Sequence, residues 1–210
     1  LSITSGGVNF TDIGNVLLRW DPEGFYDRTI GPDRRQALFA AVDLPGMNER
    51  IDAGAPFRAT IMDCAGCHPD WATEIRMWHD NWIEMASPRI EGSITLLRRL
   101  RAKGVPVFSL TNFGADSFAY AQTQYDFLSE FDRDFVSGRL GLVKPDPRLY
   151  AMVEQGCGIA PEGLLFTDDR AENIAVARER GWGVHLFDGP AGWAARLVAE
   201  GLLTESEAAT

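Results

Sequence analysis

Phe10-Thr11-Asp12-Ile13-Gly14-Asn15-Val16, Ser109-Leu110-Thr111-Asn112, Gly141-Leu142-Val143-Lys144-Pro145-Asp146-Pro147 and Phe166-Thr167-Asp168-Asp169 each run from apolar into polar side chains. Together they supply two carboxylate clusters, a hydroxyl, an amide and an ammonium. Carboxylates from two strand ends can ligate a hard cation such as Mg²⁺, which takes oxygen ligands and leaves room for phosphate oxygens. A lysine and a hydroxyl on the opposite side could hold the remaining phosphate oxygens and neutralise charge during transfer. That set describes a phosphoryl-transfer site. A carboxylate can itself be the nucleophile, splitting hydrolysis into formation and breakdown of an aspartyl-phosphate.

These residues meet only if the apolar runs before them are neighbouring strands, because an open parallel sheet binds ligands outside the carboxyl ends of its strands. Val8 to Ile13, Val105 to Leu110, Leu164 to Thr167 and Gly183 to Phe187 read as short buried strands, with a further one at Phe135 to Ser137. Amphipathic segments separate them at Gly92 to Lys103, Ala115 to Tyr125, Pro147 to Gln155 and Ala171 to Arg180. This alternation predicts an α/β fold, a three-layer parallel sheet wound by right-handed crossovers. Pro22 to Ser87 breaks it, with helical patterns at Pro32 to Val42, Asp43 to Ala53, Pro56 to Asp63 and Asp70 to Met85 and no convincing strand. We read residues 21–87 as a helical insertion capping the carboxyl edge of a core formed by 1–20 and 88–210. Pro22 and the Pro88 region would be the linker passages that let the cap close and exclude water. Glu205 to Thr210 reads as a frayed end.

The chain has 210 residues, enough for one domain with a modest insertion. Its 20 Lys+Arg against 30 Asp+Glu give a formal charge of −10, which argues against nucleic acid and anionic membrane as partners. A hydrophobic fraction of 45% and a charged fraction of 24% predict a packed globular core. No apolar run approaches the roughly 20 residues of a membrane-spanning helix. Leu1 to Gly7 lacks the basic and apolar regions of a signal peptide, and three cysteines offer no disulfide framework, so a reducing cytoplasm is expected.

With their order along the chain, the four motifs resemble those of the haloacid dehalogenase-like hydrolase superfamily, whose motifs close successive strands of a Rossmann-like core. The resemblance covers nearly the whole chain, and the helical insertion is similar to the C1 cap of subfamily I. It implies that Asp12 is the nucleophile, Thr111 the motif-two hydroxyl, Lys144 the motif-three lysine and Asp168-Asp169 the motif-four acids. It further implies Mg²⁺ held by Asp12, Asp169 and the main-chain carbonyl of Gly14, with Asp168 as a water-bridged partner and Asn173 closing the metal loop. Thr111, Asn112 and Lys144 would bind the phosphoryl group, while Arg19 and Trp20, at the entry to the insertion, would touch a small soluble substrate such as a sugar phosphate.

One position departs from the pattern. Phosphatases of the family usually carry a second Asp two residues after the nucleophile as general acid and base, and here that residue is Gly14. The loss should remove a factor of about 10²–10⁴ unless the leaving group is good or another group substitutes. The Gly-Asn-Val sequence resembles a subgroup that includes sugar-phosphate phosphatases. Two alternatives stand beside a Mg²⁺-dependent phosphomonoesterase. In one, Asp12 attacks carbon and releases halide without metal, against which the Asp168-Asp169 pair argues. In the other, the chain is a catalytically weak phosphate-binding or regulatory protein. The oligomeric state is left open.

Other signals have simpler readings. Cys64-Ala65-Gly66-Cys67-His68 matches the attachment signature of c-type haem, but it falls inside the insertion, where Gly66 and Pro69 would make a turn. Two cysteines and one histidine leave a tetrahedral zinc site one ligand short. Trp71, Trp78 and Trp82 recur at helical spacing, as on a buried helix face. Arg98, Arg99, Arg101 and Lys103 complement a helix C-terminus, and His79 and His185 lack a partner constellation.

Overall fold

The computed structural model describes residues 7–209; residues 1–6, where the signal-peptide reading falls, lie outside the described residues. The chain opens on β1 (Val8–Thr11) and then turns helical: α1 (Pro22–Ile30), α2 (Pro32–Ala41), α3 (Leu44–Asp52), α4 (Phe57–Cys67), α5 (Ala72–Asp80), α6 (Trp82–Met85) and α7 (Glu91–Ala102). Strands and helices alternate from there: β2 (Val107–Thr111), α8 (Ala115–Gln124), β3 (Arg133–Val136), α9 (Ser137–Leu140), α10 (Pro147–Cys157), β4 (Leu164–Asp168), α11 (Ala171–Glu179), β5 (Gly183–Leu186), α12 (Pro190–Ala199) and α13 (Glu205–Ala208).

The strands form one five-stranded sheet in the order β3-β2-β1-β4-β5, and every pair is parallel. Construction runs outward from β1 to β3, then returns to the other side of β1 for β4 and β5. The order therefore reverses between β1 and β4, the place where open parallel sheets hold ligands. Thr11 is in register with Thr167, and the Asp12 N–H donates to the Thr167 carbonyl at 2.9 Å. Two strands thus deliver Asp12 and Asp168 side by side.

Side chains alternate across the sheet as the pleat requires. Val8, Phe10, Leu164 and Phe166 pack on Leu149, Tyr150 and Val153 of α10 and on Ile174 and Ala177 of α11. Val107 and Leu165 face the other way, into a cluster with Leu97 of α7, Phe118 of α8 and Trp193 of α12. Phe10 is fully buried, its ring 5.4 Å from those of Phe108 and Trp182; burying such a side chain is worth about 1.5–3 kcal/mol. These are the three layers that the alternation predicts.

Helices α1 to α6 pack on one another through Tyr26, Leu38, Met47, Ile61, Ile75 and Trp78, all buried. Several start on a proline or an aspartate cap: Asp21 accepts from the Gly24 N–H and Asp43 from the Gly46 N–H, both at 2.9 Å. The two passages into and out of this block run beside each other. Arg19 N–H donates to Pro88 O at 2.9 Å, and Asp21 N–H to Met85 O at 2.8 Å. No helix among the described residues is long and apolar enough to cross a membrane.

Several expected elements are corrected. The single helix read over Asp70 to Met85 is a 3₁₀ turn at Pro69–Trp71 followed by α5 and α6, broken at Asn81. There the amide side chain bonds Glu84 locally, an alternative to helix continuation. The helix read as ending at Asp63 runs on to Cys67, so Cys64 and Gly66 lie in its last turns and the turn falls at His68. Of the three tryptophans, Trp78 and Trp82 are buried, whereas Trp71 is half-exposed beneath the Arg34 guanidinium, 4.8 Å from its ring centroid. Helices α1 and α12 have no separate assignment in the sequence reading; α1 joins the inserted block and α12 packs beside α7 in a layer on the sheet.

The end read as frayed is instead folded over residues 205–208. Thr204 and Glu207 form a capping box for α13, Ala208 is buried, and Lys103 reaches Glu207 at 2.8 Å. The basic end of α7 is therefore occupied by this segment as well as by the ion pair of Arg98 with Glu130. Thr204→Ala is expected to lower stability by about 0.5–2 kcal/mol. Urea unfolding would check it, and an unchanged midpoint would show that the tail does not contribute.

Candidate active site

Asp12 follows β1 directly and accepts the Ile13 N–H at 2.8 Å, which fixes its carboxylate over the strand end. Lys144 arrives from the loop before α10. Its ammonium lies 3.0 Å from Asp12 Oδ1 and 2.6 Å from Asp168 Oδ2, and it donates to the Leu110 carbonyl at 2.9 Å. Asn112 holds that loop from both sides, donating to Lys144 O at 2.9 Å and accepting the Lys144 N–H at 2.7 Å. Its amide thus makes a contact that the motif did not disclose.

Asp168 is fully buried and saturated: Oδ1 accepts the Arg170 N–H at 2.8 Å and Asn173 Nδ2 at 2.9 Å, while Oδ2 takes Lys144. The Asn173 carbonyl accepts the Tyr150 hydroxyl at 3.0 Å. Asp169 faces the cavity, with one oxygen accepting Asn15 Nδ2 at 3.1 Å. Asn15 sits at φ 54, a left-handed conformation that asparagine tolerates, and its Oδ1 accepts the Trp20 N–H at 3.1 Å. One amide therefore links Asp169 to the start of the insertion. The Thr111 hydroxyl, at the end of β2, is buried with no hydrogen-bond partner among the described residues.

The electrostatics follow from burial and crowding. Burial pushes Asp12 up to about 6; Lys144 opposes the rise, and Asp168 and Asp169 add to it. Asp169 is also raised, by burial and then by Asp168, against the Asn15 bond. Burial alone would lower Lys144, but the charges of Asp12 and Asp168 outweigh it and hold the ammonium above its ordinary range. Oxygens of Asp12, Asp168 and Asp169 lie within 4.8 Å of one another, so this all-oxygen group could hold a metal ion. The fit is chemical: three crowded carboxylates face one ammonium, and a divalent cation would offset the remaining charge.

Asp12, Gly14, Arg19, Trp20, Asn112, Lys144 and Asp169 line one cavity of about 560 Å³. Thr111 and Asp168 are buried and do not line it. One wall is aromatic, built by Trp78 and Trp82 of the inserted helices together with Trp20 and Phe113: Trp20 is 5.8 Å from Trp78 and 5.9 Å from Trp82, and Trp82 5.4 Å from Phe113. Asn48 and Asp52 of α3 also face this space. Neither stands out in the sequence, because nothing about a helix-end aspartate forty residues after Asp12 marks it until the helix docks. Cys64, Cys67 and His68 lie outside the cavity lining; the His68 ring faces its own helix at the Cys64 carbonyl, 3.0 Å away.

A β1–β4 switch point carrying these acids and a buried lysine defines the class of protein, and the comparisons agree. The sequence profile of the haloacid dehalogenase-like hydrolases matches residues 48–181, and the chain belongs to that family. Among its relatives, the sesquiterpene phosphatase astK of Aspergillus oryzae is 29% identical over 184 residues, 86% of this chain and 80% of that protein. The phosphoserine phosphatase of Thermus thermophilus is 27% identical over 173 residues, 79% and 68% of the two chains. A HAD family enzyme of Bacteroides thetaiotaomicron, in a complex with magnesium and inorganic phosphate, superposes with a TM-score of 0.67 at 19% identity, covering 88% of this chain and 95% of that one.

Removing the lysine would leave two buried carboxylates without their cation. Lys144→Met is expected to cost about 3–5 kcal/mol of stability at pH 8. The cost should shrink at pH 5. A carboxylate whose folded-state pKa is raised binds its proton more tightly when folded, so its penalty is small at acid pH and grows as pH rises from the unfolded value towards the folded one. Urea unfolding at the two pH values checks this; equal losses at both would mean that Lys144 does not pair these acids.

Proposed function

We propose that this hydrolase cleaves small phosphomonoesters in a Mg²⁺-dependent reaction through an aspartyl-phosphate on Asp12. The observation that carries the reading is the convergence of Asp12, Lys144, Asp168 and Asp169 at the switch point of the sheet. Asp12 would attack phosphorus as the bond to the leaving oxygen breaks, and water would then hydrolyse the acyl phosphate and free Asp12. Lys144, which lines the cavity, would hold phosphoryl oxygens and favour the ionised form of Asp12. Asp12, Asp169 and the Gly14 carbonyl would hold Mg²⁺, with Asp168 behind them. The ion would neutralise phosphoryl charge and fix the geometry of attack.

Residues 21–87 would act as the cap. Trp78 and Trp82 of the cap, with Trp20 at its entry, form an aromatic wall that suits an apolar body or the face of a sugar ring, and Arg19 also lines the cavity, where it would meet a further anionic group. The relatives named for phosphatase activity support phosphoryl over carbon attack. A (S)-2-haloacid dehalogenase of Pseudomonas fluorescens, 31% identical over 88 residues, covers only 42% of this chain. A cavity of about 560 Å³ favours a small molecule over a phosphoprotein.

A phosphate-release screen over small phosphomonoesters would test this directly. Turnover is expected with Mg²⁺, and both EDTA and Asp12→Asn should reduce it by several orders of magnitude. Undiminished release in either would overturn the mechanism. Halide release from a 2-haloacid in EDTA would transfer the assignment to carbon attack.

A further inference from the structure

The reaction just proposed leaves one proton unassigned. An alkyl leaving group departs as an alkoxide unless something protonates it, and Gly14 cannot. We propose that Asp52, presented by the C-terminal end of α3, is the general acid and base of this site. The inference rests on the phosphomonoesterase reading and deepens it.

The geometry comes from close approach between the insertion and the core. At Gly114, a Cβ would stand 2.5 Å from Ile51 Cγ2, so the loop after β2 lies against the last turn of α3 because it has no side chain there. Ser137, at the start of α9, donates to the Asp52 main-chain carbonyl at 2.6 Å and accepts the Phe113 N–H at 2.9 Å. The Asp52 carboxyl accepts the Gly114 N–H and, at 2.9 Å, Asn48 Nδ2. It lines, from the inserted helices, the same cavity that Asp12, Lys144 and Asp169 line.

The charge environment suits the role. Burial, with the charges of Asp12 and Glu49 adding and the Gly114 bond and Lys144 opposing, pushes the carboxyl up to about 7. Near neutral pH it is shared between protonated and ionised forms, as an acid that must become a base requires. In the first step the Asp12 oxygen bonds to phosphorus, the bond from phosphorus to the leaving oxygen breaks, and Asp52 gives that oxygen its proton. In the second, the Asp52 carboxylate takes a proton from the water that attacks phosphorus, the Asp12–phosphorus bond breaks, and both groups return to their starting states.

Two probes of different leaving-group quality separate this role from a structural one. Against n-butyl phosphate, Asp52→Asn should lose about 10²-fold or more in kcat/KM. Against p-nitrophenyl phosphate, whose leaving group needs no proton, the loss should be at least ten-fold smaller. The wild-type profile for n-butyl phosphate should fall as pH rises past about 7, a limb absent with p-nitrophenyl phosphate. Gly14→Asp in the Asp52→Asn background should recover turnover of n-butyl phosphate; a Cβ at Gly14 meets nothing within 4 Å, and its backbone is unstrained for a side chain. Equal losses on both probes overturn the assignment, as do matching wild-type pH profiles should the variant fail to fold. If the intact protein hydrolyses neither probe with Mg²⁺, or Asp12→Asn hydrolyses both, the phosphomonoesterase reading itself falls.

Discussion

The ammonium of Lys144 is the contact on which the site depends. It touches Asp12, Asp168 and the Leu110 carbonyl, and so ties the ends of β1, β4 and β2 to one point. A buried ion pair is poor stabilisation by itself, because the desolvation of its members offsets most of their attraction. It is specific, however: removing any member strands a charge, and only the observed strand order brings all of them within reach. The neighbouring polar groups keep the arrangement still. Asn112 grips the lysine main chain at two points, and Asn173 and the Arg170 N–H fill the remaining capacity of Asp168.

A second constraint is how the inserted helices meet the sheet. Their entry and exit strands bond to each other at Arg19 and Asp21, and Asn15 links that entry to Asp169. At the opposite side, absence of a side chain decides the contact. Gly114 admits Ile51, and a Cβ at Gly138 would stand 2.5 Å from the Ala115 nitrogen, so the start of α9 packs against the backbone that leads from β2 into α8. The helices are therefore attached to the core at two places, and the residues that face the cavity from α3 are held by core backbone as well as by their own helix.

These contacts divide what the sequence discloses from what it hides. Asp12, Thr111 and Asp168 were legible because a strand end is a local event, in which an apolar run stops and a polar residue follows, and Lys144 because it stands in a short Lys-Pro-Asp-Pro run at the mouth of α10. The parallel sheet was legible for the same reason, through the alternation of its apolar periods. Asp52 was hidden because its position is set by Gly114 and Ser137, distant in sequence and ordinary in type. The C-terminal α13 was misread because its small and acidic residues look solvated, whereas the Thr204–Glu207 box and the basic end of α7 fold it down. The break at Asn81 turns on a side-chain bond three residues away, which periodicity does not register.

The local distribution of charge matters more than its sum. The overall formal charge is −10, and the site repeats the imbalance: Asp12, Asp168 and Asp169 against Lys144 give −3 + 1 = −2 when all are ionised. A phosphate ester would meet a repulsive field there, and the protein's partial remedy is the upward displacement of Asp12 towards its neutral form. That remedy opposes function under the proposed mechanism, since a protonated carboxyl is a poor nucleophile. A divalent cation resolves the conflict, because +2 balances the site, lets Asp12 ionise and gives an anionic substrate something to approach. The acidity seen in the whole chain is thus, inside the cavity, what makes a cation the counterpart that a small anion would need there.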